Sequence, residues 1–502
     1  MRTKITVVAM LLSVAATGFA QDQFDAAKLS LTQLKGSARY MGMGGAFTAL
    51  GGDASSISLN PAGLGVYRSS ELTATLNVLN NSTSANWNNV SGNDSYLTAH
   101  FNNFSIVATI GANNPNFSSA LGFTFDRLKS FNRSGTINGA SQYSSITDYI
   151  AERTGGTEDD YGLDQDVYSN TSIGWISVLG HDAGLISSPN GDGYWYSTLA
   201  NGQNVTPSYS FYENGYLDQY SFSYGMNFSN LVYLGFGLGF QSFDYSLSTY
   251  YIEKFDGNGS MSLQNQFSSS GSGFDMKVGV IVRPTDFLRI GAAYHSPMFM
   301  SITDRFLGQI NNAYTPDGSS GRYYLQTPSV FTFGLAGVFG KKGILSVDYQ
   351  YADYSTMKYR DESRSPLLFK DENSAINNQL QAVSSIKIGG EYRITPEVSA
   401  RLGYNYITPV TKNDAYRDLP TNSLRTDPEY MTGGKTQNFA VGLGYRYQNW
   451  NFDVAYVLNR QDQQFYPYDD YYSAQYAGTD NVKPAKVTSS NSNIAITVGL
   501  KF

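Results

Sequence analysis

The chain has 502 residues, a formal net charge of −7 and only 15% charged residues, whereas soluble domains carry about 25%. Its acidic balance argues against nucleic acid as a partner, and the absence of cysteine excludes disulfides and Cys-ligated metals. Aromatic residues reach 14%, with 50 Gly and 39 Tyr, and the mean hydropathy of −0.30 is low for helices that span a membrane.

The N-terminus has the features of a secretory signal peptide. Arg2 and Lys4 precede an apolar run over residues 5–16, and Gly18 and Ala20 are the small residues before a cleavage site at Gln21. Such a run is shorter than the roughly 20 residues of a membrane-spanning helix. We therefore expect residues 1–20 to be a signal peptide and the chain to be exported.

After the signal peptide, apolar residues alternate with small or polar ones, which indicates β-strands with one apolar face. At the C-terminus the apolar positions are Ile494, Ile496, Val498, Leu500 and Phe502. Residues 234–241 and 439–447 repeat the pattern. Alternation that ends on a terminal Phe is similar to the assembly signal of outer-membrane barrels, so we expect lipid on the apolar face.

Candidate strands number about fourteen, the even count expected of a bacterial single-chain barrel. They lie near 71–80, 98–110, 119–130, 217–229, 231–247, 273–283, 286–300, 323–340, 342–354, 382–395, 397–409, 436–448, 450–462 and 488–502. Short connections alternate with longer ones, around 81–97, 131–216, 248–272, 301–322, 355–381, 410–435 and 463–487. The sequence thus predicts an all-β, transmembrane antiparallel barrel over residues 70–502. Its short turns are expected in the periplasm, and the long loop near 131–216 outside and partly helical, because residues 144–153 break the alternation.

Residues 21–69 are rich in glycine and do not alternate. They contain a G-x-x-x-A-F stretch at 42–47, Asp-Ala-Ser at 53–55 and Asn-Pro-Ala-Gly at 60–63. These motifs, placed between a signal peptide and the first strand, resemble the N-terminal region of the FadL-type family of long-chain fatty-acid and hydrocarbon transporters. The Tyr- and Asn-rich composition resembles Bacteroidetes-type members. The resemblance covers the whole chain after the signal peptide.

The resemblance implies that residues 21–69 form a plug, or hatch, in the lumen, which either closes the pore permanently or moves as a gate. The plug or gate residues expected from it are Gly42, Gly45, Phe47, Asp53, Asn60, Pro61 and Gly63. Inward-facing charges expected on the strands are Asp275, Lys277, Arg289, Lys387, Glu391, Arg393, Arg401 and Arg446. One of the cations could hold a fatty-acid carboxylate. A bulge or kink around residues 124–129, where charges interrupt the third strand, is the expected lateral opening.

The function implied is passive uptake of a hydrophobic small molecule such as a long-chain fatty acid. A component or shuttle of a secretion system and a haem receptor remain alternatives. An enzyme is not expected: Ser384 and Lys387 match S-x-x-K within an alternating strand, and His100, His181 and His295 do not have metal-ligand spacing. We expect no catalytic residue, metal or cofactor. Expected partners are the ligand, outer-membrane lipid, lipopolysaccharide and the barrel assembly machinery.

Overall fold

The computed structural model describes residues 21–502 except 113, 115, 156–162, 164–167, 169–172, 190–192, 200–202, 258, 421–422 and 470–481. The expected signal peptide, residues 1–20, lies outside the described residues. Among the described residues, no helix is long and apolar enough to cross a membrane.

Alternating side chains form a closed wall with an apolar outer surface. Phe333 and Leu335 are each 56% exposed, whereas Thr332 and Ala336, on the opposite face of the same strand, are buried. Exposed Leu, Ile, Val, Phe and Tyr side chains recur in this way on most wall strands. Continuous exposed apolar surface of this kind is stable in lipid and not in water.

The wall consists of fourteen antiparallel strand positions, as predicted. Ten are single strands: β1 (Glu71–Trp87), β2 (Val90–Ile110), β7 (Val205–Phe228), β8 (Val232–Phe255), β9 (Ser260–Val282), β18 (Ala382–Arg393), β19 (Val398–Ile407), β20 (Tyr430–Tyr447), β21 (Trp450–Tyr466) and β22 (Ala485–Lys501). Four are interrupted: β3 (Phe117–Ser130) with β4 (Arg133–Asn138), β10 (Leu288–His295) with β11 (Phe299–Ile310), β14 (Tyr323–Gln326) with β15 (Val330–Phe339), and β16 (Gly343–Asp353) with β17 (Lys358–Arg360).

The first and last strands close the barrel. β1 pairs with β22 from Glu71 opposite Lys501 to Asn86 opposite Lys486. Tight turns connect the strands at one end; between β7 and β8, for example, Ser229 and Asn230 have positive φ angles of 52° and 57° in a connection of residues 229–231, and positive φ at both central residues is typical of primed hairpin turns. We call this the short-turn end and the opposite one the long-loop end.

Two expected long connections are in fact strands. Residues 81–97 continue β1 and β2 to a turn at Asn88 and Asn89, and most of residues 248–272 extend β8 and β9, with a turn at Asp256 and Gly257. The prediction ended each strand where its apolar alternation stopped. Outside lipid both faces of a strand can be polar while the backbone ladder continues, so the hydropathy pattern marks the end of the lipid-facing part only.

The segment between β4 and β7 contains the expected helix, α4 (Ile146–Thr154), followed by α5 (Trp175–Asp182) and the two-residue strands β5 (Ile186–Ser187) and β6 (Tyr196–Ser197). Ser145 caps α4 in a capping box with Asp148. Both helices are buried in an apolar cluster that includes Trp87 of β1 and Phe465 of β21. Because these strands belong to the wall, the cluster spans the long-loop end as a roof.

Two further short strands, β12 (Ala313–Tyr314) and β13 (Gly318–Ser319), pair back on β11, and α6 (Lys370–Gln379) precedes β18.

The N-terminal segment lies inside the barrel as a plug, which the sequence predicted. It contains α1 (Gln23–Ser30), α2 (Ala38–Gly42), α3 (Ser56–Leu59) and a 3₁₀ helix over Pro61–Val66. Asp22, Ser37 and Asn60 accept hydrogen bonds from backbone N–H groups at the starts of α1, α2 and the 3₁₀ helix.

The plug packs against a set of wall glycines, at positions where a wall side chain would leave it no room. A Cβ at Gly389 or Gly403 would overlap the turn at Met43 and Gly44, and one at Gly235 would overlap the backbone of Pro61. Nine wall strands each contribute one such residue: Gly122, Gly225, Gly235, Gly279, Gly291, Gly334, Gly389, Gly403 and Gly442. We call these residues the glycine belt. Any side chain there would push the plug away from the wall.

This contact can be tested on two adjacent glycines of β18. We expect Gly389→Ala to displace the plug, because the new methyl group would overlap the Met43 carbonyl, and to raise ion conductance in planar bilayers. Gly390→Ala is the matched control, since its Cβ would lie 3.7 Å from the nearest atom, the Ile344 carbonyl oxygen. Equal conductance of the two variants would contradict the proposed packing.

Candidate functional site

The first plug motif lies against β19, β20 and β21. A Cβ at Gly42 would be 3.3 Å from the Cα of Gly442, so the two backbones meet with no side chain between them. Gly45 has a φ of +78° and completes the turn that presses on the wall. Phe47 is fully buried, with its ring centroid 5.6 Å from that of Tyr40.

The second plug motif joins the plug to β8 and β9. Asn60 donates to the Thr48 carbonyl at 2.7 Å and accepts from the Ala62 N–H at 3.1 Å. Its side chain lies against Gly279, and Pro61 lies against Gly235. Gly63 contacts Gly51 within the plug. Asn60 therefore satisfies two backbone groups and fixes one plug segment on another.

Asp53 acts inside the plug. Its carboxylate accepts from the Ser37 hydroxyl at 2.9 Å and from the Ser55 N–H at 3.0 Å. Burial raises the pKa of Asp53, and Arg39 opposes that rise. These contacts make Asp53 an internal tie of the plug, with no direct role toward a ligand.

Arg401 is held in an ion-pair network. Its guanidinium donates to Glu391 at 2.6 Å and to Asp453 at 2.6 Å, and Arg39 of the plug donates to the same Glu391 at 2.9 Å. All four groups are at least partly buried, where an unpaired charge would be costly. Arg401 therefore fastens the plug to the wall and is not free to hold a ligand carboxylate.

The other five expected cations do not meet at one point: Arg393 and Arg446 line one cavity, Lys277 and Lys387 line another, and Arg289 lines neither. Arg289 donates to the Leu50 carbonyl of the plug at 2.7 Å. Lys277 lies 3.7 Å from Asp275, and Arg446 is exposed and bonded to Asn451. Arg393 lines a cavity at the short-turn end together with Arg446. The structure thus does not gather the expected charges into one ligand site.

A central cavity lies between the plug and the wall, with about 1370 Å³ of non-protein space. Part of its lining is apolar, including Leu34, Leu59, Met298, Val330 and Ile407. Plug residues 30–35 form one side, and strands on several sides of the barrel form the rest. More than half of the lining residues are polar or charged, Asp275 and Lys277 among them, so the cavity combines apolar patches with fixed polar groups, as small-molecule sites do.

Two lysines of the central cavity have no carboxylate within 4.0 Å among the described residues. Lys35 of the plug donates to Asn493 at 3.1 Å and lies 3.3 Å from His100, and Lys387 donates to Gln350 at 2.8 Å. Burial, together with the nearby charge of Arg127, lowers the pKa of Lys35 to about 7. The sequence prediction missed Lys35, because no periodic pattern orients the side chains of residues 21–69.

An upper cavity of about 1330 Å³ lies toward the long-loop end and shares Leu31 and Gln33 with the central cavity. Gln33 is fixed to the third wall position: its N–H donates to the Leu128 carbonyl at 2.9 Å, and its side-chain oxygen accepts from the Ser130 N–H at 3.3 Å. Plug residues 31–33 therefore separate the two cavities.

The bulge expected in the third strand is present. Pairing with β7 shifts register between Arg127 and Lys129, and pairing with β2 extends only to Asp126, opposite Asn103. Beyond that point β3 leaves the β2 ladder, and β4 lies beside the inner face of β1, where Thr83 donates to the Ser134 carbonyl at 2.8 Å. Backbone groups of β2 over residues 90–102 therefore have no ladder partner on this side.

Known proteins share this architecture. The chain is 27% identical over 180 residues to outer membrane protein P1 of Haemophilus influenzae, which is 35% of this chain and 38% of that protein, so the match spans well under half of the relative. A FadL homologue from Pseudomonas aeruginosa superposes with a TM-score of 0.56 at 12% identity, covering 94% of this chain and all of that one. The toluene transporter TbuX of Ralstonia pickettii gives 0.50 at 16% identity, with 93% and 99% covered.

At these identities the solved structures establish the fold alone. The family model described as outer membrane protein transport protein (OMPP1/FadL/TodX) matches residues 220–501, more than half of the sequence. The chain therefore belongs to the OMPP1/FadL/TodX family of outer-membrane transport proteins.

Proposed function

We propose that this protein takes up amphipathic small molecules with a long apolar tail and an anionic head, such as long-chain fatty acids, without an energy source. The observation that carries the proposal is the central cavity, in which apolar patches adjoin polar ones, and in which Lys35 and Lys387 have no carboxylate within 4.0 Å among the described residues. An anionic head group would supply the missing counter-charge while the tail is buried beside Leu34 and Met298.

The energetics suit capture from dilute solution. Each buried CH₂ contributes roughly 0.8 kcal/mol. A tail of about sixteen carbons therefore supplies on the order of 10 kcal/mol before the costs of lost motion are subtracted. Release, rather than binding, becomes the difficult step.

The proposed route uses both cavities. A molecule passes from the upper cavity past Leu31 and Gln33 into the central cavity. It leaves sideways near the bulge of β3, where the β2 ladder has ended. Exit through the short-turn end is unfavourable for an apolar tail, because the Arg39–Glu391–Arg401–Asp453 network lies there.

The proposal also places the short-turn end in the periplasm and the roof outside the cell. The apolar outer surface of the wall then contacts outer-membrane lipid and lipopolysaccharide. Phe502 is the expected signal for the barrel assembly machinery. The roof also favours a second candidate, a non-transport role in a secretion system, because it covers the long-loop end. Uptake measurements separate the two functions.

Orientation can be tested by labelling single cysteines, since the chain has none of its own. We expect Ser187→Cys, in the roof, to react with a membrane-impermeant maleimide on intact cells. Lys341→Cys, in a short turn, should react only after lysis. Labelling of Lys341→Cys alone on intact cells would invert the orientation.

Fixing the plug to the bulge should block transport. In the variant with Gln33→Cys and Ser130→Cys, a cleavable thiol cross-linker should abolish uptake of labelled long-chain fatty acid, and cleavage should restore it, because the molecule must pass Gln33. The control pair is Asn459→Cys with Asn491→Cys, whose native side chains bond at 3.4 Å between β21 and β22, away from the bulge. Equal uptake by cells with and without the protein would refute transport; full uptake by the first cross-linked variant would refute only the route.

Lys35 should make anion binding depend on pH. Its lowered pKa of about 7 means that it is mostly charged near pH 6 and mostly neutral near pH 8.5. Affinity for a long-chain alkyl sulfonate, which stays ionised throughout, should therefore fall several-fold over this range. Lys35→Arg should bind equally at both values, and Lys35→Met should bind weakly at both. A wild-type affinity that is constant with pH would exclude Lys35 from the head-group site.

A further inference from the structure

The short-turn end of the barrel carries a group of cations along one arc of its rim. Following the wall from the turn after β15 round to β22, they are Lys341, Lys342, Arg393, Arg446 and Lys501. Backbone bonds connect neighbouring turns: the Arg393 N–H donates to the Lys342 carbonyl at 2.8 Å, and the Arg446 N–H donates to the carbonyl of Glu397 at 2.8 Å. We call this set the rim arc.

The rim arc has no close ion pairs. None of its five side chains forms an ion pair within 4.0 Å with any described residue, whereas Arg283, elsewhere on the same rim, pairs with Asp286 at 2.5 Å. Outside the Arg401 network, the carboxylates that line the cavity at the short-turn end are those of Asp53, Glu397 and the buried Glu71. A chain with a net charge of −7 thus presents a positive potential at this end.

Three members of the arc line a cavity of about 910 Å³ that faces the short-turn end: Arg393, Arg446 and Lys501. The deeper charges of this cavity are already satisfied, since Arg401 bonds to Glu391 and Asp453. The unpaired charge is therefore concentrated at its mouth. Lys341 and Lys342 are fully exposed in the adjoining turn and extend the positive surface outward.

We propose that the rim arc is a docking surface for an acidic segment of a periplasmic protein. A segment with several Asp or Glu side chains would enter the mouth of the cavity and pair with Arg393, Arg446 and Lys501. Complementary charge of this kind speeds encounter and fixes orientation. Anionic lipid head groups surround the outside of the barrel, whereas these three side chains line a cavity inside the wall, so a protein segment fits the geometry better than lipid.

The test uses purified full-length protein in nanodiscs of a zwitterionic lipid and fluorescein-labelled hexaglutamate, with fluorescence anisotropy as the readout. We expect binding at low salt, and its loss in about 1 M NaCl, where the screening length is about 3 Å. The variant Arg393→Gln, Arg446→Gln, Lys501→Gln should bind about tenfold more weakly, because three exposed charge pairs are removed.

The matched control is Lys254→Gln, Lys358→Gln, Lys435→Gln, which removes three exposed cations toward the long-loop end. It should bind hexaglutamate as the wild type does. Equal weakening of both triple variants, or no binding at low salt, would overturn the proposal. A third result would also overturn it: phosphatidylglycerol nanodiscs shift the melting temperature of the wild type but not of the rim variant, and hexaglutamate has no effect. None of these outcomes depends on whether fatty acids are transported.

Discussion

The contact between two backbones, plug and wall, is the constraint on which the rest of this structure depends. At Gly42 and Gly442 the chains meet with no side chain between them. Six more glycines of the belt also meet plug backbone, and the remaining two, Gly122 and Gly279, meet plug side chains. A barrel of this width would otherwise enclose an aqueous channel. Because the glycine belt lets the plug sit against the wall, the remaining space is divided into separate cavities, and residues on both surfaces can share hydrogen bonds and ion pairs.

Polar contacts then fix the position of the plug relative to the wall. Thr48 donates from both its N–H and its hydroxyl to Asp348 at 2.8 and 2.7 Å, and Arg39 reaches Glu391. Buried pairs of this kind add little net stability, because desolvation offsets their attraction, yet breaking one leaves a costly unpaired charge. Their effect is to give one position of the plug a much lower free energy than neighbouring positions. Lys35 and Lys387 are exceptions to this pairing, and that contrast distinguishes the central cavity from the packed regions.

The sequence was sufficient to predict the strands of the wall, but it was insufficient to predict how the plug packs inside them. Alternation at residues such as Leu234, Phe236 and Leu238 predicts strands directly, since one face must meet lipid. The sequence does not indicate which plug residue meets which of the glycines between them, because that pairing joins positions far apart in the chain. Strand ends were misplaced where side chains are polar on both faces. The bulge after Asp126 could be predicted because charges interrupt an otherwise apolar strand.

The seam between β1 and β22 has a consequence for biogenesis. The plug is continuous with β1, which must pair with the last strand made, yet the plug already touches β3, β8, β18 and β20. A segment enclosed in this way cannot be inserted after the ring has closed unless it passes through the roof or the turns. The order of events is therefore constrained: the growing sheet must curl around the plug, and the seam must form last. Plug and wall must therefore come together in one process rather than one after the other.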